Sequence, residues 1–346
     1  MIPQSVVNGI MIGEAALLTL SLLLFFSHGV WLHFHLRTEE KLLSDARERL
    51  TRLLSRSTVE PEDVEGLKKV PRSVQVAVFL AISPSVSGTR KDRLRFLAGE
   101  IGLLNRAKGF CHSRRWGRRL RGARILARLD VSDPIVERLL RDPHPAVRAQ
   151  AAEWGAAQPT IPVVLELLNM LADPATLARF AVQNALFRVG TIAIDPLARF
   201  LADHDGEPAE AGLKVAEALA GTRFLPAGVR FSTSSDPVLR TSAANLLGAI
   251  GDASGASRLL QMLADPIPDV RAAAARGLGR MRHWQAASSL ASSLRDPAWR
   301  VRRESGLALR AVGAPGVLLL RRAVKGSDPF AADMAQLVLD LPATAG

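Results

Sequence analysis

Nine cations, Arg106, Lys108, Arg114, Arg115, Arg118, Arg119, Arg121, Arg124 and Arg128, stand between Ile101 and Leu129 with no acid among them. Guanidinium groups at this density attract carboxylates, phosphates or an anionic surface, and arginine grips such groups with a planar, two-pronged fork. The remaining reactive side chains offer less. Cys111 and His112 are neighbours in sequence, which says nothing of spatial pairing, although the surrounding cations favour a thiolate. A lone cysteine excludes an internal disulfide, a four-cysteine zinc site and an iron–sulfur cluster held by this chain alone. His144, His204 and His283 fall at separate turns without metal-ligand spacing, and His28 and His35, though on one helix face, lie two turns, about 10 Å, apart. No phosphate loop, G-x-S-x-G, H-E-x-x-H, C-x-x-C or kinase signature is present. The expectation is a binding surface with no catalytic residue, no cofactor and no metal.

That surface needs a helix to carry it. In residues 114–129 Trp116, Leu120, Ala123 and Ala127 share one stripe and most arginines lie outside it, so the segment reads as amphipathic with a basic face. Residues 61–130 hold sixteen basic and six acidic groups, whereas residues 1–60 balance at six each and 131–346 hold 23 and 21. The overall charge of +12 is therefore concentrated in one place. With 48% apolar and 23% charged residues the chain folds, and twelve Phe, five Trp and no Tyr leave little for an aromatic nucleic-acid platform.

Residues 15–36, AALLTLSLLLFFSHGVWLHFHL, contain no Asp, Glu, Lys or Arg, and about twenty residues suffice to cross a hydrocarbon core. The segment predicts a single transmembrane helix after a short extracytoplasmic N-terminus (1–14). Arg37, Lys41, Arg47, Arg49, Arg52 and Arg56 follow it, and this asymmetry would place the rest in the cytoplasm of a bacterial inner (cytoplasmic) membrane, N-terminus outside. A juxtamembrane amphipathic helix is expected over 37–57. Its seam Leu43, Ala46, Leu50, Leu53 would dock on the chain's own domain or a partner helix, or pair with itself through residues 42–54. In the connector (58–91) Val74, Val76, Val78, Leu80 and Ile82 alternate, which fits either a short buried helix or a strand that docks on another protein's sheet edge.

Beyond the connector the sequence repeats. Asp-Pro recurs at 142, 173, 236, 265, 296 and 328, and Leu201-Ala202-Asp203 supplies the missing member, giving steps of 31, 30, 33, 29, 31 and 32. Such a period marks a solenoid. In each unit a leucine-rich helix stops before Asp-Pro and a second begins just after it, where proline can open a helix and the aspartate can accept from unpaired amides. Gly190, Gly221, Gly251 and Gly313 would end the second helices, and alanine-rich faces let neighbours approach closely. The stretch 224–235, with Pro226 and Gly228, reads as loop-like. Counting back thirty residues from Arg148 reaches Arg118, so residues 92–129 read as a first pair and 92–341 as about eight.

These units resemble HEAT repeats, particularly the short bacterial type with the pattern D-P-x-x-x-V-R-x-x-A-A, over roughly 70% of the chain. Asp142 and Arg148, Asp173 and Arg179, Asp265 and Arg271, and Asp296 and Arg302 keep the family's six-residue separation. The resemblance implies that they form a structural polar ladder between stacked repeats. It should be interrupted at three steps: the unit at 203–221 has no arginine there, Arg240 comes two places early, and the last unit has Met334. The expected class is all-α, a transmembrane helix followed by a HEAT-like α-solenoid. The resemblance further implies a non-catalytic membrane-anchored scaffold or accessory subunit that binds an integral-membrane partner enzyme such as a polysaccharide glycosyltransferase. The nine cations would meet that partner or an anionic membrane surface. The alternatives are a nucleic-acid-binding or DNA-repair-type HEAT protein and a bilin-lyase-like enzyme.

Overall fold

The computed structural model describes residues 19, 21, 23, 25–27, 40–56 and 60–342, which are helices, turns and connecting segments with no strand among them. The chain divides into two compact units. The first comprises Met1–Phe110 with Arg128–Val131, the second Cys111–Ala127 with Ser132–Gly346.

The expected span over 15–36 lies largely outside the described residues, as do His28, His33 and His35. Among the described residues no helix is long and apolar enough to cross a membrane. This overturns the expected N-terminal transmembrane helix, and with it the single-pass inner-membrane location with a cytoplasmic solenoid. The first continuous described helix, α1 (40–55), carries Lys41, Asp45, Arg47, Glu48, Arg49 and Arg52, a density that a hydrocarbon core does not accept.

In the first unit α1 is followed by α2 (Pro61–Lys68), α3 (Arg72–Ile82), α4 (Thr89–Glu100) and most of α5 (Leu103–Cys111). Ala46, Leu50 and Leu53 of the seam are at most 6% exposed, so the chain's own fold already uses the face that self-pairing through 42–54 would need. Polar ties fix α1: Arg49 donates to the Gly66 carbonyl (3.0 Å), Arg56 pairs with Asp63 (3.2 Å), and Arg93 of α4 donates to the carbonyls of Leu54 (3.2 Å) and Arg56. The alternating segment 73–82 is helix α3 and not a docking strand. Its buried residues, Val74, Gln75, Val78, Phe79 and Ile82, follow the helical period, and the alternation arose because branched residues also occupy its other faces. Buried Gln75 donates to the carbonyls of Leu67 and Val70 (both 3.0 Å) and accepts from Arg106 (2.7 Å).

The second unit begins with α6 (Trp116–Arg128), whose last residue is assigned to the first. Seven helix pairs follow among the described residues: α7 (Ile135–Leu140) and α8 (Pro145–Ala157), α9 (Ile161–Asn169) and α10 (Thr176–Val189), α11 (Ile194–Asp203) and α12 (Gly206–Leu219), α13 (Leu225–Phe231) and α14 (Pro237–Ile250), α15 (Ala253–Met262) and α16 (Pro268–Arg280), α17 (Ala287–Ser292) and α18 (Trp299–Val312), α19 (Ala314–Val324) and α20 (Pro329–Asp340). Proline at the first position opens α8, α14, α16 and α20, where its missing N–H costs nothing. The segment expected to be loop-like forms α13, with Pro226 in its first turn and Gly228 against Leu247. Gly190, Gly251 and Gly313 adopt positive φ after their helices as expected, but after α12 it is Ala220 that turns left-handed (φ 49°), and Gly221 is extended.

The second helix of each pair packs on its counterparts in neighbouring pairs. A Cβ on Gly248 would lie 2.4 Å from the Gly277 Cα, and one on Gly279 would lie 2.8 Å from the Ala308 Cα, so α14, α16 and α18 meet almost backbone to backbone. Arg280 of α16 reaches Glu217 of α12 (2.9 Å) across the intervening α14. The second helices thus form a continuous layer of this unit, each packed on the next, and at α14 the layer is close enough for an arginine and a glutamate to meet across it.

Two substitutions test this packing by urea unfolding. Gly248→Ala should destabilise by about 1–3 kcal/mol, because neither backbone can withdraw. Ala220→Gly should stabilise by about 0.5–1 kcal/mol, because it relieves a left-handed L-residue at the cost of some chain entropy.

Candidate partner-binding site

The spacing of the repeats is set by arginine forks. Arg148 donates through Nη1 to the carbonyls of Asp142 (2.8 Å) and Pro143 (3.1 Å) in its own repeat, and its Nε and Nη2 grip the carboxylate of Asp173 in the next (2.5 and 2.7 Å). Arg271 does the same between Asp265 and Asp296, with fork distances of 2.6 and 2.8 Å. The aspartates serve the next helix too: Asp142, Asp173, Asp265 and Asp296 accept from the amides of His144, Ala175, Ile267 and Ala298 at 2.8–2.9 Å. The Asp and Arg six residues apart are thus joined through the aspartate's backbone, and the carboxylate pairing runs to the next unit.

Two readings of the frame are corrected. The first rung is Arg119, not Arg118: it forks onto Asp142 (2.6 and 2.7 Å) and donates to the carbonyls of Ser113 and Arg114. Arg240 does not interrupt the ladder, because Ser234 and Ser235 hold the Asp-Pro place, their carbonyls accept from Nη1 (2.9 and 3.1 Å), and the fork reaches Asp265 (2.8 and 3.0 Å). Here Asp236 is the residue out of frame. The ladder lapses elsewhere. Arg179 holds the Asp173 carbonyl (3.1 Å) and approaches Glu207 (3.3 Å), and the carbonyls of Leu201, Ala202 and His204 are served instead by Arg230. Arg302 holds the Asp296 carbonyl (2.8 Å), but its Nε is buried without a partner beneath the Phe330 ring (5.0 Å), while Asp328 caps the Ala331 amide (2.9 Å).

Burial pushes the carboxyls of Asp142, Asp173, Asp265 and Asp296 up, yet the arginine fork, the backbone amide and nearby positive charge together hold them below their ordinary value of 3.8. Arg119, Arg240 and Arg271 rise in turn, chiefly from the hydrogen bonds to their aspartates. The opposite balance governs Cys111. It is fully buried, and burial pushes the thiol up to about 11 against the pull of Arg138, so the thiolate that the basic surroundings suggested does not form at neutral pH.

The nine cations are divided between the two units and differ in their surroundings. In the first unit Arg106 is spent on Gln75 and the Ile101 carbonyl (3.2 Å), with its pKa lowered by burial and by Arg72; Lys108 is half-buried and Arg128 exposed. In the second unit Arg119 belongs to the ladder, Arg121 is exposed, and exposed Arg124 approaches Gln150 (3.4 Å). Arg114, Arg115 and Arg118 remain exposed around the start of α6, and none of them forms an ion pair among the described residues. Trp116 does not join the buried stripe, which is Gly122, Ala123, Ile125 and Leu126. It is 48% exposed and stacks flat on His144 (centroids 3.9 Å, planes 2° apart). These groups line an open groove floored by Pro143 and His144. Among the described residues no group of His, Cys, Asp or Glu is placed to hold a metal ion.

Removing one partner of a shielded pair strands the other, so Arg271→Ala should cost about 3 kcal/mol in urea unfolding, whereas Arg302→Ala, with no carboxylate to strand, should cost about 1 kcal/mol. Because folding lowers the pKa of four aspartates, their contribution is complete above pH 3.8 and is lost as pH falls below it through the folded-state values. The melting temperature should drop in that acid window, and a variant carrying Asn at Asp142, Asp173, Asp265 and Asp296 should start lower and drop less.

Residues 256–339 match the HEAT repeats family. No curated protein matches the chain's sequence significantly. Among solved structures, the karyopherin Kap121p bound to the SUMO protease Ulp1p is similar at 12% identity and a TM-score of 0.56, over 85% of this chain and 41% of that one. Kap95p in its complex with RanGDP is similar at 12% identity and 0.51, over 79% and 50%, and Kap95 with Nup1 at 10% and 0.52, over 86% and 49%. The chain spans half or less of these structures, and at such identity the likeness is one of fold. Residues 256–339 are therefore HEAT repeats, and the helix pairs that precede them share the fold of an α-solenoid.

Proposed function

We propose that this protein is a protein-interaction scaffold whose first repeat docks an acidic segment of a partner. The observation that carries this is the set of exposed guanidinium groups, Arg114, Arg115 and Arg118, gathered beside the Trp116–His144 stack, while Arg119 and Arg148 next to them are consumed by the ladder. Unpaired arginines on a rigid helix end suit carboxylates, because the fork is preorganised and the flat indole and imidazole give the bound chain an apolar surface. The similar karyopherin structures hold protein partners, RanGDP, Nup1 and Ulp1p, which supports binding over catalysis. The buried, protonated Cys111 supports the same reading. An integral-membrane glycosyltransferase as the partner is carried by no described residue, so the proposal stays with the chemistry of an acidic protein segment.

The test is a triple charge reversal, Arg114→Glu, Arg115→Glu and Arg118→Glu, that leaves Arg119 and the ladder intact. The full chain should bind a labelled peptide of alternating Asp and Glu, more weakly at high salt. The variant should lose at least tenfold in affinity with its helical circular dichroism kept. Unchanged binding after reversal refutes the site. Tighter binding of duplex DNA or of anionic vesicles than of the peptide replaces this reading with nucleic acid or lipid.

A further inference from the structure

Along α10, Leu177, Phe180, Asn184 and Phe187 recur at helical spacing opposite the buried Ala178, Val182, Ala185 and Leu186. Leu177 is 60% exposed, Phe180 64% and Phe187 55%. As a second helix of its pair, α10 lies in the layer of second helices, between α8 and α12. One repeat earlier the matching places on α8 hold Ala146, Ala149, Glu153 and Ala156, and one repeat later those on α12 hold Glu207, Glu210, Lys214 and Glu217. Three large apolar side chains thus stand between low alanines on one side and a row of carboxylates on the other. Clustered apolar groups left in water mark a binding surface.

The charges around the stripe say what fits it. Lys214 is paired with Glu210 (2.6 Å) and Glu217 with Arg280 (2.9 Å), so those carboxylates are largely neutralised. Glu207, its side chain 79% exposed, has only Arg179 at 3.3 Å, and exposed Glu153 bonds to the neutral Gln150 (3.0 Å). Glu153, bonded to a neutral amide, therefore lies on one side of the apolar stripe, Glu207 with its single exposed ion pair lies on the other, and Arg188 stands at the far end. The stripe spans eleven residues, about 15 Å, which is some three turns of a partner helix. We infer that α8, α10 and α12 cradle an amphipathic helix of a partner protein, its apolar residues at three- and four-residue spacing against Leu177, Phe180 and Phe187, and lysines or arginines on its flanks. This segment has the opposite charge to the one proposed for Arg114, Arg115 and Arg118, so the two readings fail separately.

The probe is an 18-residue peptide of leucine and lysine with leucines at helical spacing, titrated into the full chain by fluorescence anisotropy beside its leucine–glutamate counterpart. The lysine peptide should bind at least tenfold tighter than the glutamate one. The double variant Phe180→Ala and Phe187→Ala should weaken it at least thirtyfold, and Glu207→Lys three- to tenfold. Both variants should keep the wild-type unfolding midpoint, since these side chains already stand in water. Absence of binding, equal binding of the two peptides, or binding untouched by the double variant overturns the inference. Sedimentation of the free chain supplies the remaining arm: a dimer that the double variant abolishes shows that a second copy covers the stripe, which also overturns it.

Discussion

A guanidinium shared between consecutive repeats is the contact on which the second unit's order depends. A pair of short helices buries too little apolar surface to hold its own geometry, so each pair must be positioned by its neighbours. Apolar packing alone allows sliding along helix faces, whereas the fork does not, because Nη1 is fixed on two carbonyls of one repeat while Nε and Nη2 are fixed on the carboxylate of the next. The same carboxylate caps the amide that opens the following helix, so one short side chain sets both the helix start and the step to the previous repeat. An aspartate reaches both groups. The cost of shielding two charges is met by leaving almost no lone pair or N–H unused, which is the condition under which such pairs are tolerated.

Glycine and alanine set the close approach that the forks then hold. Near-contact at Gly248–Gly277 and Gly279–Ala308 brings the second helices together, and Arg280 closes on Glu217 across α14 as a result. The stack sorts side chains by role. On the ladder edge arginines are either spent, as Arg119 and Arg148 are, or exposed for a partner, as Arg114, Arg115 and Arg118 are. Along the layer of second helices the same helical positions carry mostly alanine on α8, mostly leucine and phenylalanine on α10 and mostly glutamate on α12, a change of chemistry at each step along a constant scaffold.

The period, the class of each helix and the residue types of the ladder were legible because they follow from local rules: proline opens a helix, an aspartate caps it, and a fixed spacing places equivalent side chains on one edge. The register was less legible. Arg118 and Arg119 differ by one position, 100° around the helix, and only the position of Asp142 selects between them. Asp236-Pro237 imitates the repeat signature, yet the carbonyls that receive Arg240 belong to Ser234 and Ser235. A charge count could not show that Arg106 is turned inward onto Gln75, nor that burial outweighs the cations around Cys111. The apolar run at 15–36 suggested a span from composition alone, and no helix among the described residues supports one.

By itself, then, the sequence determined an all-helical stack of about thirty-residue units, its cap residues and the concentration of arginine near its first repeat. These depend on neighbours along the chain, whose interactions act over one or two helical turns. The tertiary structure alone decided which arginine meets which aspartate, which cations remain exposed, and that Leu177, Phe180 and Phe187 stay in water. Each of those outcomes depends on the distance between helices of different repeats, and that distance is set by how small side chains such as Gly248 and Gly277 pack once the stack has formed.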